Sequence, residues 1–459
     1  MNKTKETWIL GFALFSLFFG AGNLLLPPLL GYNAGDQWFW VVLGFVVTAV
    51  LIPVLGIMAH ARLQGTMYDF GKKVSPVFSV IYCVLVYMIS IAIPSPRTAS
   101  ATYEMTVQPM LYSSSSTMMG RWLKKSWHFI TQTLDISDSL FTSILYFVLV
   151  LVFVLNRSKI INLIGKFLTP LIVTIVFLVV GIGLFSTDFG MNPTSFEVPF
   201  VSGILEGYQT FDAIGAVVVG GVIIISLNLK GIGSSEEKRN LIRRSGFIAG
   251  AGLAIIYTGM IAVGAFYGSE IFVDGSLSND MQRANLLRGI SLEALGNIGA
   301  TFLSVLVGLA CFTTAVGIVT GTADYFKGLF KNSQKVYTIT AVIGCIAGIL
   351  VGQMNFSTII HIALPALMFI YPITIILILL NVLPEKWASK SIFRGVVIVT
   401  FIFSIPDFLG TIGLGGVLQP ITEWVPLASK SLGWVLPAIF TFLLLNLINF
   451  TTKRQPTNE

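Results

Sequence analysis

A polar, glycine-rich stretch interrupts the first long apolar segment of the sequence. It reads Phe18-Phe19-Gly20-Ala21-Gly22-Asn23-Leu24 and is followed by Pro27-Pro28. This composition predicts a membrane helix that breaks in mid-membrane, where irregular backbone survives only if it lines a cavity or binds a ligand. The free N–H groups of the second half, from about Gly20 to Asn23, favour a carboxylate. The last carbonyls of the first half, near Ser16 to Phe19, suit a hard cation such as sodium.

A second interruption lies five predicted spans later, around Tyr208-Gln209-Thr210-Phe211-Asp212. Because five is odd, the two interrupted spans run in opposite directions, as two inverted five-helix repeats would require. Paired interruptions at corresponding positions of two halves are the best sequence indicator of a transporter's binding site. The alternative interpretation is that the glycines in these segments only let helices pack closely.

Two adjacent hydroxyls, on Thr313 and Thr314, follow the small residue Ala310 in the eighth predicted span. Together with the Ala310 carbonyl they can offer oxygen ligands to a cation. Threonines in membrane helices more often hydrogen-bond to their own backbone, so this pattern by itself predicts a cation site only weakly.

Asp212 is the only carboxylate well inside a predicted span, and an acid at that depth is a functional candidate. It is a candidate to receive a substrate amine, a cation or a proton; the alternative is an internal ion pair with Arg97. Arg97 and Glu104, at the predicted outer end of the third span, are candidates for a gate pair. An ordinary interfacial salt bridge explains them equally well.

The elements that must position these residues are membrane-spanning helices. The chain has 459 residues, of which 55% are hydrophobic and only 11% charged, and its mean hydropathy is +0.85. Apolar runs of spanning length recur from end to end, which predicts an all-α polytopic membrane protein. The three cysteines fall within predicted spans and are expected to pack as small hydrophobes. The intramembrane polar residues include no recognisable nucleophile–base or metal-ligand set, so we expect no enzyme.

About twelve spans are predicted, the first and sixth of them broken. They lie at roughly 7–30, 38–61, 75–104, 140–156, 160–186, 201–229, 241–268, 297–327, 336–352, 355–381, 392–412 and 431–451. The predicted domains are a first inverted repeat at 1–186, a second at 187–384, and two peripheral spans with a tail at 385–459. An outer insertion is predicted at 111–139.

The basic residues predict the topology. With the N-terminus inside, 21 of the 28 Lys and Arg residues fall in inner loops or tails, which places both termini in the cytoplasm by the positive-inside rule. The seven on the other side are Arg97, Arg121, Lys124, Lys125, Arg283, Arg288 and Lys430. Because the basic residues are dispersed over short loops, the net charge of +7 does not indicate a nucleic-acid partner.

The sequence resembles the bacterial branched-chain amino acid:cation symporters, the LIVCS (BrnQ) group. The resemblance rests on separated motifs that run through most of the chain. They are Phe18 to Leu24 with Pro27-Pro28, Pro96-Arg97-Thr98-Ala99, Glu206-Gly207-Tyr208-Gln209-Thr210-Phe211-Asp212-Ala213, and Ala310-Cys311-Phe312-Thr313-Thr314-Ala315. That family belongs with the amino acid–polyamine–organocation transporters, whose five-plus-five inverted-repeat core agrees with the spacing of the two interruptions.

The resemblance implies a function and a set of site residues. Leucine, isoleucine or valine would be imported with a sodium ion, across a bacterial cytoplasmic membrane. Sodium would lie among the Ser16 and Phe19 carbonyls, Ala310, Thr313 and Thr314. Substrate would contact Gly20, Ala21 and Gly22 through their amides, Asn23, the Tyr208, Gln209, Thr210 and Phe211 backbone, and the side chains of Phe211 and Ile214.

Other functions stay open at this point. One is proton-coupled transport that uses Asp212; another is a non-transporting membrane sensor or a channel. A channel requires a polar pore, for which the predicted spans supply few charged residues.

Overall fold

The computed structural model describes residues 3–112, 118–156, 164–185, 190–229, 234–267, 270–276, 279–354, 356–415 and 424–452. All regular structure in these ranges is helical, so the all-α class is confirmed. The helices are α1 Lys3–Phe18, α2 Ala21–Ala34, α3 Trp38–Val46, α4 Ile52–Leu63, α5 Met67–Gly71, α6 Pro76–Ala92, α7 Pro94–Thr102, α8 Gln108–Tyr112, α9 Met118–Thr133, α10 Asp138–Leu155, α11 Thr169–Phe185, α12 Pro199–Tyr208, α13 Asp212–Leu229, α14 Ser235–Phe266, α15 Asn279–Leu329, α16 Gln334–Val351, α17 Phe356–Val382, α18 Lys390–Thr411 and α19 Val435–Thr452.

Ten helical segments in the described ranges are long and apolar enough to cross a membrane. One of them, Gly22–Leu63, joins the second half of predicted span 1 to span 2. The predicted span 12 corresponds to the shorter apolar helix Val435–Thr451. These two differences account for ten segments against about twelve predicted spans.

Both predicted helix breaks are present. The first separates α1 from α2 at Phe19 and Gly20, and Gly20 has extended backbone (φ −107°, ψ −165°). The second separates α12 from α13 between Tyr208 and Asp212. Phe211 adopts a left-handed backbone there (φ +63°), a conformation that costs an aromatic residue about 1–2 kcal/mol. The second break therefore depends on surrounding contacts that hold Phe211 in place.

Close helix packing at glycines fixes the broken helices against their neighbours. A Cβ added at Gly31 on α2 would lie 1.9 Å from the carbonyl oxygen of Ile261 on α14. A Cβ added at Gly264 on α14 would lie 2.0 Å from the Pro28 carbonyl of α2, so the two backbones are in direct contact. Gly44 on α3 and Gly203 on α12 form a second contact of this kind. Small residues at such crossings allow the van der Waals contact that holds membrane helices together.

Each broken span packs against the span that follows the other broken span in the sequence. α1 and α2 both pack on α14, in the seventh span, while α12 and α13 pack on α3 and α4, in the second. The proposed repeat boundaries at 186 and 384 stay a prediction. The predicted outer insertion at 111–139 contains helix α9, Met118–Thr133; residues 113–117 lie outside the described ranges.

The backbone contact between α2 and α14 predicts a large difference between two glycine substitutions. Gly264→Ala must push the helices apart and is expected to lower the free energy of unfolding by about 1–3 kcal/mol. Gly181→Ala on α11 is the matched control, because nothing lies within 4 Å of an added Cβ there. Thermal unfolding of both purified variants in detergent measures the difference; equal stability would contradict the direct backbone contact.

Candidate functional site

The end of α1 is held by a threonine from α15. The hydroxyl of Thr313 lies 2.8 Å from the carbonyl oxygen of Ser16 and 3.0 Å from that of Ala310, and the Ser16 hydroxyl donates to Thr313 Oγ1 at 3.1 Å. The Thr314 hydroxyl donates to the Leu17 carbonyl at 3.4 Å. Ser16, Ala310 and Thr313 are fully buried. The arrangement gathers several neutral oxygens and no charge, which suits a hard monovalent cation.

The start of α2 lies beside these oxygens and presents N–H groups. The Gly20 amide donates to Asn23 Oδ1 at 3.2 Å, an N-terminal capping interaction. A Cβ added at Gly20 would lie 2.8 Å from Thr314 Oγ1, so only glycine fits between α2 and α15 without a shift. The first amides of a helix have no partner within the helix, and the helix dipole makes this end favourable for an anion.

Asp212 connects three spans at the second break. Its Oδ2 accepts a hydrogen bond from Asn23 Nδ2 at 2.6 Å and from the Tyr257 hydroxyl at 3.2 Å. Asn23 also donates to the Tyr257 hydroxyl. Asp212, Asn23 and Tyr257 are all at most 2% exposed. A buried carboxylate with two neutral donors retains a negative field that can attract an ammonium group or a cation.

Arg97 is level with the two breaks, not at the outer end of its span as the sequence analysis expected. The helical segment continues beyond it to Leu111, and Arg97 is 3% exposed. Its Nη1 donates to the Gln209 carbonyl in the second break at 3.1 Å. A Cβ added at Gly22 would lie 3.4 Å from Nη1 and 3.5 Å from Nη2. The guanidinium therefore lies beside the N-terminus of α2, and both favour an anion at the same place.

A cavity of about 50 Å³ joins the two breaks. Its polar lining includes Asn23, Arg97, Thr210, Asp212 and Thr314, so one positive and one negative side chain face the same small space. Most of its apolar side chains come from α1, α13 and α15, namely Leu17, Phe18, Ile214, Val218, Val219 and Ile318, and Phe211 adds its ring from the second break.

The cavity extends from the breaks toward the end of the molecule where α1 begins. Leu17 and Phe18 precede the first break, while Val218 and Val219 lie up to two turns into α13. The start of α14, which follows α13, is near the start of α1, because the Ser245 hydroxyl donates to the Thr7 carbonyl at 2.9 Å.

The other end of the site is closed by a polar cluster. Arg283, on the first part of α15, lies 3.3 Å from Glu206 Oε2 and donates to Gln209 Oε1 at 3.4 Å. The Gln209 amide donates to Glu206 Oε1 at 3.0 Å. Arg283 is 5% exposed, so this cluster forms a plug over the second break. The sequence analysis assigned Arg283 only to the side of the membrane opposite the N-terminus.

The structure brings together most of the predicted site residues. Ser16, Ala310, Thr313 and Thr314 form one cluster, and the starts of α2 and α13 line the cavity beside it. Phe19 is fully buried, and its ring stacks on Phe15 and Tyr257. At the end of α1, the Thr314 hydroxyl contacts the carbonyl of Leu17, a residue that is not among the predicted cation ligands. Glu104 accepts from Ser100 at 3.1 Å and lines a separate cavity of about 90 Å³ with Arg288, whereas Arg97 lines the cavity at the breaks.

Tyr257 and the lining residues Val218, Val219 and Ile318 are not predicted from the sequence, whereas Phe211 and Ile214 are. A single tyrosine in an apolar segment has no pattern that marks its partner, so only the packing of α14 against α2 identifies it. Val218 and Ile318 each lie four residues after a predicted site residue, Ile214 and Thr314 respectively, which is a usable signal once those two residues are placed in a site.

Comparison with known proteins gives a consistent picture. Residues 3–452 match the family model of the branched-chain amino acid transport proteins. A putative branched-chain amino acid carrier protein of Staphylococcus aureus strain USA300 is 31% identical over 467 residues, which covers 98% of each chain. A similarly named protein of strain MRSA252 is 31% identical over 472 residues, with the same coverage.

Two solved structures share the fold. MhsT in complex with L-phenylalanine aligns with a TM-score of 0.53 and 18% identity, over 96% of this chain and 98% of that one. Mhp1, a nucleobase-cation-symport-1 family transporter in a closed conformation with bromovinylhydantoin bound, aligns with a TM-score of 0.59 and 13% identity, over 97% and 92%. These likenesses confirm the fold of a polytopic helical transporter.

The plug predicts a measurable coupling between Arg283 and Glu206. In a double-mutant cycle with Arg283→Gln and Glu206→Gln, we expect a coupling of about 1 kcal/mol or more, because Arg283 is buried. The control cycle uses Lys430→Gln and Glu197→Gln, because this ion pair is on the surface. The hydrogen bond from Lys430 lowers the pKa of Glu197, so the two side chains do interact. Unfolding free energies of the variants measure both couplings; a buried pair no better coupled than the exposed one would contradict the plug.

Proposed function

The chain belongs to the branched-chain amino acid transport protein family, and from that premise we propose that it carries leucine, isoleucine or valine across the membrane together with sodium. It is a transporter rather than an enzyme. In this proposal the protein lies in a bacterial cytoplasmic membrane with both termini in the cytoplasm, as the distribution of basic residues favours.

The observation that carries the proposal is the pairing of opposite charges in one largely apolar cavity. A zwitterionic amino acid needs a partner for each charge when it leaves water, because a buried unpaired charge is costly. The α2 amides and Arg97 are proposed to bind the carboxylate. Asp212, with backbone carbonyls of the second break, is proposed to receive the ammonium group.

The apolar lining supports a branched aliphatic side chain as the third part of the substrate. Phe211, Ile214, Val218 and Ile318 offer aliphatic or aromatic surface to it. One methylene changes binding to an apolar pocket by only about 1–3 kcal/mol, so leucine, isoleucine and valine are expected to share the site. A polar or charged side chain would lose its hydration at the same surface.

Sodium is proposed to bind where α15 meets the end of α1. The candidate ligands are the Ser16 and Ala310 carbonyls and the Thr313 hydroxyl. The Thr313 hydroxyl oxygen lies 2.8 Å from the Ser16 carbonyl oxygen and 3.0 Å from that of Ala310. Thr314 is a further candidate through its hydroxyl. The family resemblance adds the Phe19 carbonyl to this set.

We propose transport by alternating access, which the positions of the plug and the cavity support. The plug of Arg283, Glu206 and Gln209 closes one end, and the cavity extends toward the other. Opening of the end that the plug closes would separate Arg283 from Glu206 and Gln209. At the same time, α1 and α13 would close the end toward which the cavity extends. The membrane potential would supply about 2.3 kcal/mol for each positive charge moved inward per 100 mV.

Proton coupling through Asp212 is the second candidate. It is favoured by the burial of this carboxylate and by its contacts with Asn23 and Tyr257, a set of hydrogen bonds that changes when a proton is added. A sensor or channel lacks a comparable supporting contact among the described residues.

Sodium binding is expected to stabilise the folded protein. At a sodium concentration of 100 times the dissociation constant, the gain is about 2.7 kcal/mol. We expect sodium chloride to raise the unfolding temperature above that in potassium chloride, and Thr313→Val to abolish the difference. Thr322→Val is the matched control, because within the described ranges its buried hydroxyl donates to the Ile318 carbonyl of its own helix and to no other residue. A sodium effect that survives in Thr313→Val would exclude this site.

Uptake of labelled leucine into proteoliposomes separates sodium coupling from proton coupling. Under the proposal, an imposed sodium gradient drives accumulation, and Asp212→Asn weakens leucine affinity by about 10-fold or more through loss of one charged hydrogen bond. If protons are coupled through Asp212, the same variant loses accumulation but retains exchange. Asp274→Asn, in an exposed loop, is the control. No leucine uptake under either gradient would exclude both.

A further inference from the structure

A groove lies at the end of the molecule where α1 begins, outside the substrate cavity. It has a volume of about 550 Å³ and is formed by α1, α4 and α14. Thr4 and Trp8 line it from α1, Met58 from α4, and Arg243, Arg244 and Phe247 from α14. Nothing in the proposed transport mechanism uses this groove.

The rim of the groove is positively charged. Arg243 and Arg244 are exposed, and neither forms an ion pair with any acid in the part of the chain that the structure describes. Two consecutive arginines that line the same groove, together with Thr4, favour a phosphate, since arginine binds phosphate oxygens in a bidentate manner.

The groove also has an apolar, exposed part. Trp8 is 50% exposed and Phe247 is 68% exposed, and both lie beside the basic rim. The sequence of α14 changes at this level from charged residues to an apolar run that starts after Arg244. The groove is therefore at the boundary between water and hydrocarbon, where tryptophan is enriched.

From these observations we infer that the groove between α1, α4 and α14 binds an anionic phospholipid. Its phosphate contacts Arg243 and Arg244, and the upper part of its acyl chains packs on Trp8 and Phe247. Basic pockets between membrane helices that face one leaflet are suited to anionic headgroups. A zwitterionic lipid carries a positive group that the two arginines would repel, so the charge complementarity selects an anionic headgroup.

The position of the groove gives the lipid an influence on transport. It bridges α1 and α14, and α1 carries Ser16 at its other end. A lipid bound there stabilises the conformation of the protein in which α1 and α14 remain in contact. Lipid binding here does not depend on the identity of the substrate or the coupling ion, because none of the residues of this groove lines the cavity at the breaks.

Lipid titration of the purified full chain, followed by native mass spectrometry, tests the inference. We expect phosphatidylglycerol to bind in preference to phosphatidylcholine, and Arg243→Gln/Arg244→Gln to weaken phosphatidylglycerol binding by roughly 25-fold, about fivefold for each arginine. The control Lys331→Gln/Lys335→Gln removes the same charge from the turn before α16 and from the first turn of α16, and it should retain wild-type binding. Equal losses in both variants, or none in the arginine variant, would overturn the inference.

A second measurement does not depend on the folding of the arginine variant. Brominated phosphatidylglycerol quenches a tryptophan that touches it, and Trp8 is one of eight tryptophans in the chain. We expect brominated phosphatidylglycerol to quench the tryptophan fluorescence of the wild-type protein more than brominated phosphatidylcholine does. In Trp8→Phe, this difference in quenching should disappear. If that extra quenching persists in Trp8→Phe, the bound lipid lies elsewhere and the inference fails.

Discussion

The site depends on one constraint: backbone groups that are freed by a broken helix inside a membrane protein must find other partners. Without water, an unsatisfied N–H or C=O group costs several kcal/mol. The Thr313 hydroxyl therefore meets the Ser16 carbonyl, and Arg97 meets the Gln209 carbonyl, each from a different span. These contacts hold the half-helices in position. In the proposed function, the same oxygens and charges bind the ion and the substrate.

The fold and the two breaks could be predicted from the sequence because their signals are local. Long apolar runs indicate spans, and a glycine-rich polar interruption within such a run indicates a break. The breaks at Gly20 and between Tyr208 and Asp212 lie within a residue or two of the expected positions. The contact between Ser16 and Thr313 was expected from family resemblance, since the two threonines alone predicted it only weakly.

The rest of the site could not be predicted, because it comes from contacts between residues far apart in the sequence. Tyr257 reaches Asp212 only through the close packing of α14 on α2, which Gly31 and Gly264 make possible. Arg97 was expected at the outer end of its span, but the helix continues through a π-helical turn at Tyr103–Val107 and on to Leu111. An arginine that would otherwise reach water is thus buried level with the breaks. The position of Arg97 in the membrane therefore depends on where the span ends, which the residue type alone does not show.

Gln209 connects the plug to the cavity. Its side chain contacts Glu206 and Arg283 on the closed side, while its carbonyl accepts from Arg97 on the cavity side. If the substrate carboxylate binds Arg97, as proposed above, a backbone movement of Gln209 during release of Arg283 would displace the carbonyl that accepts from Arg97. Carboxylate binding and plug closure would then be coupled, and each would change the other by the same factor, because coupling free energies are reciprocal. In this proposal Gln209 is the residue through which substrate binding at Arg97 acts on the contacts of Arg283.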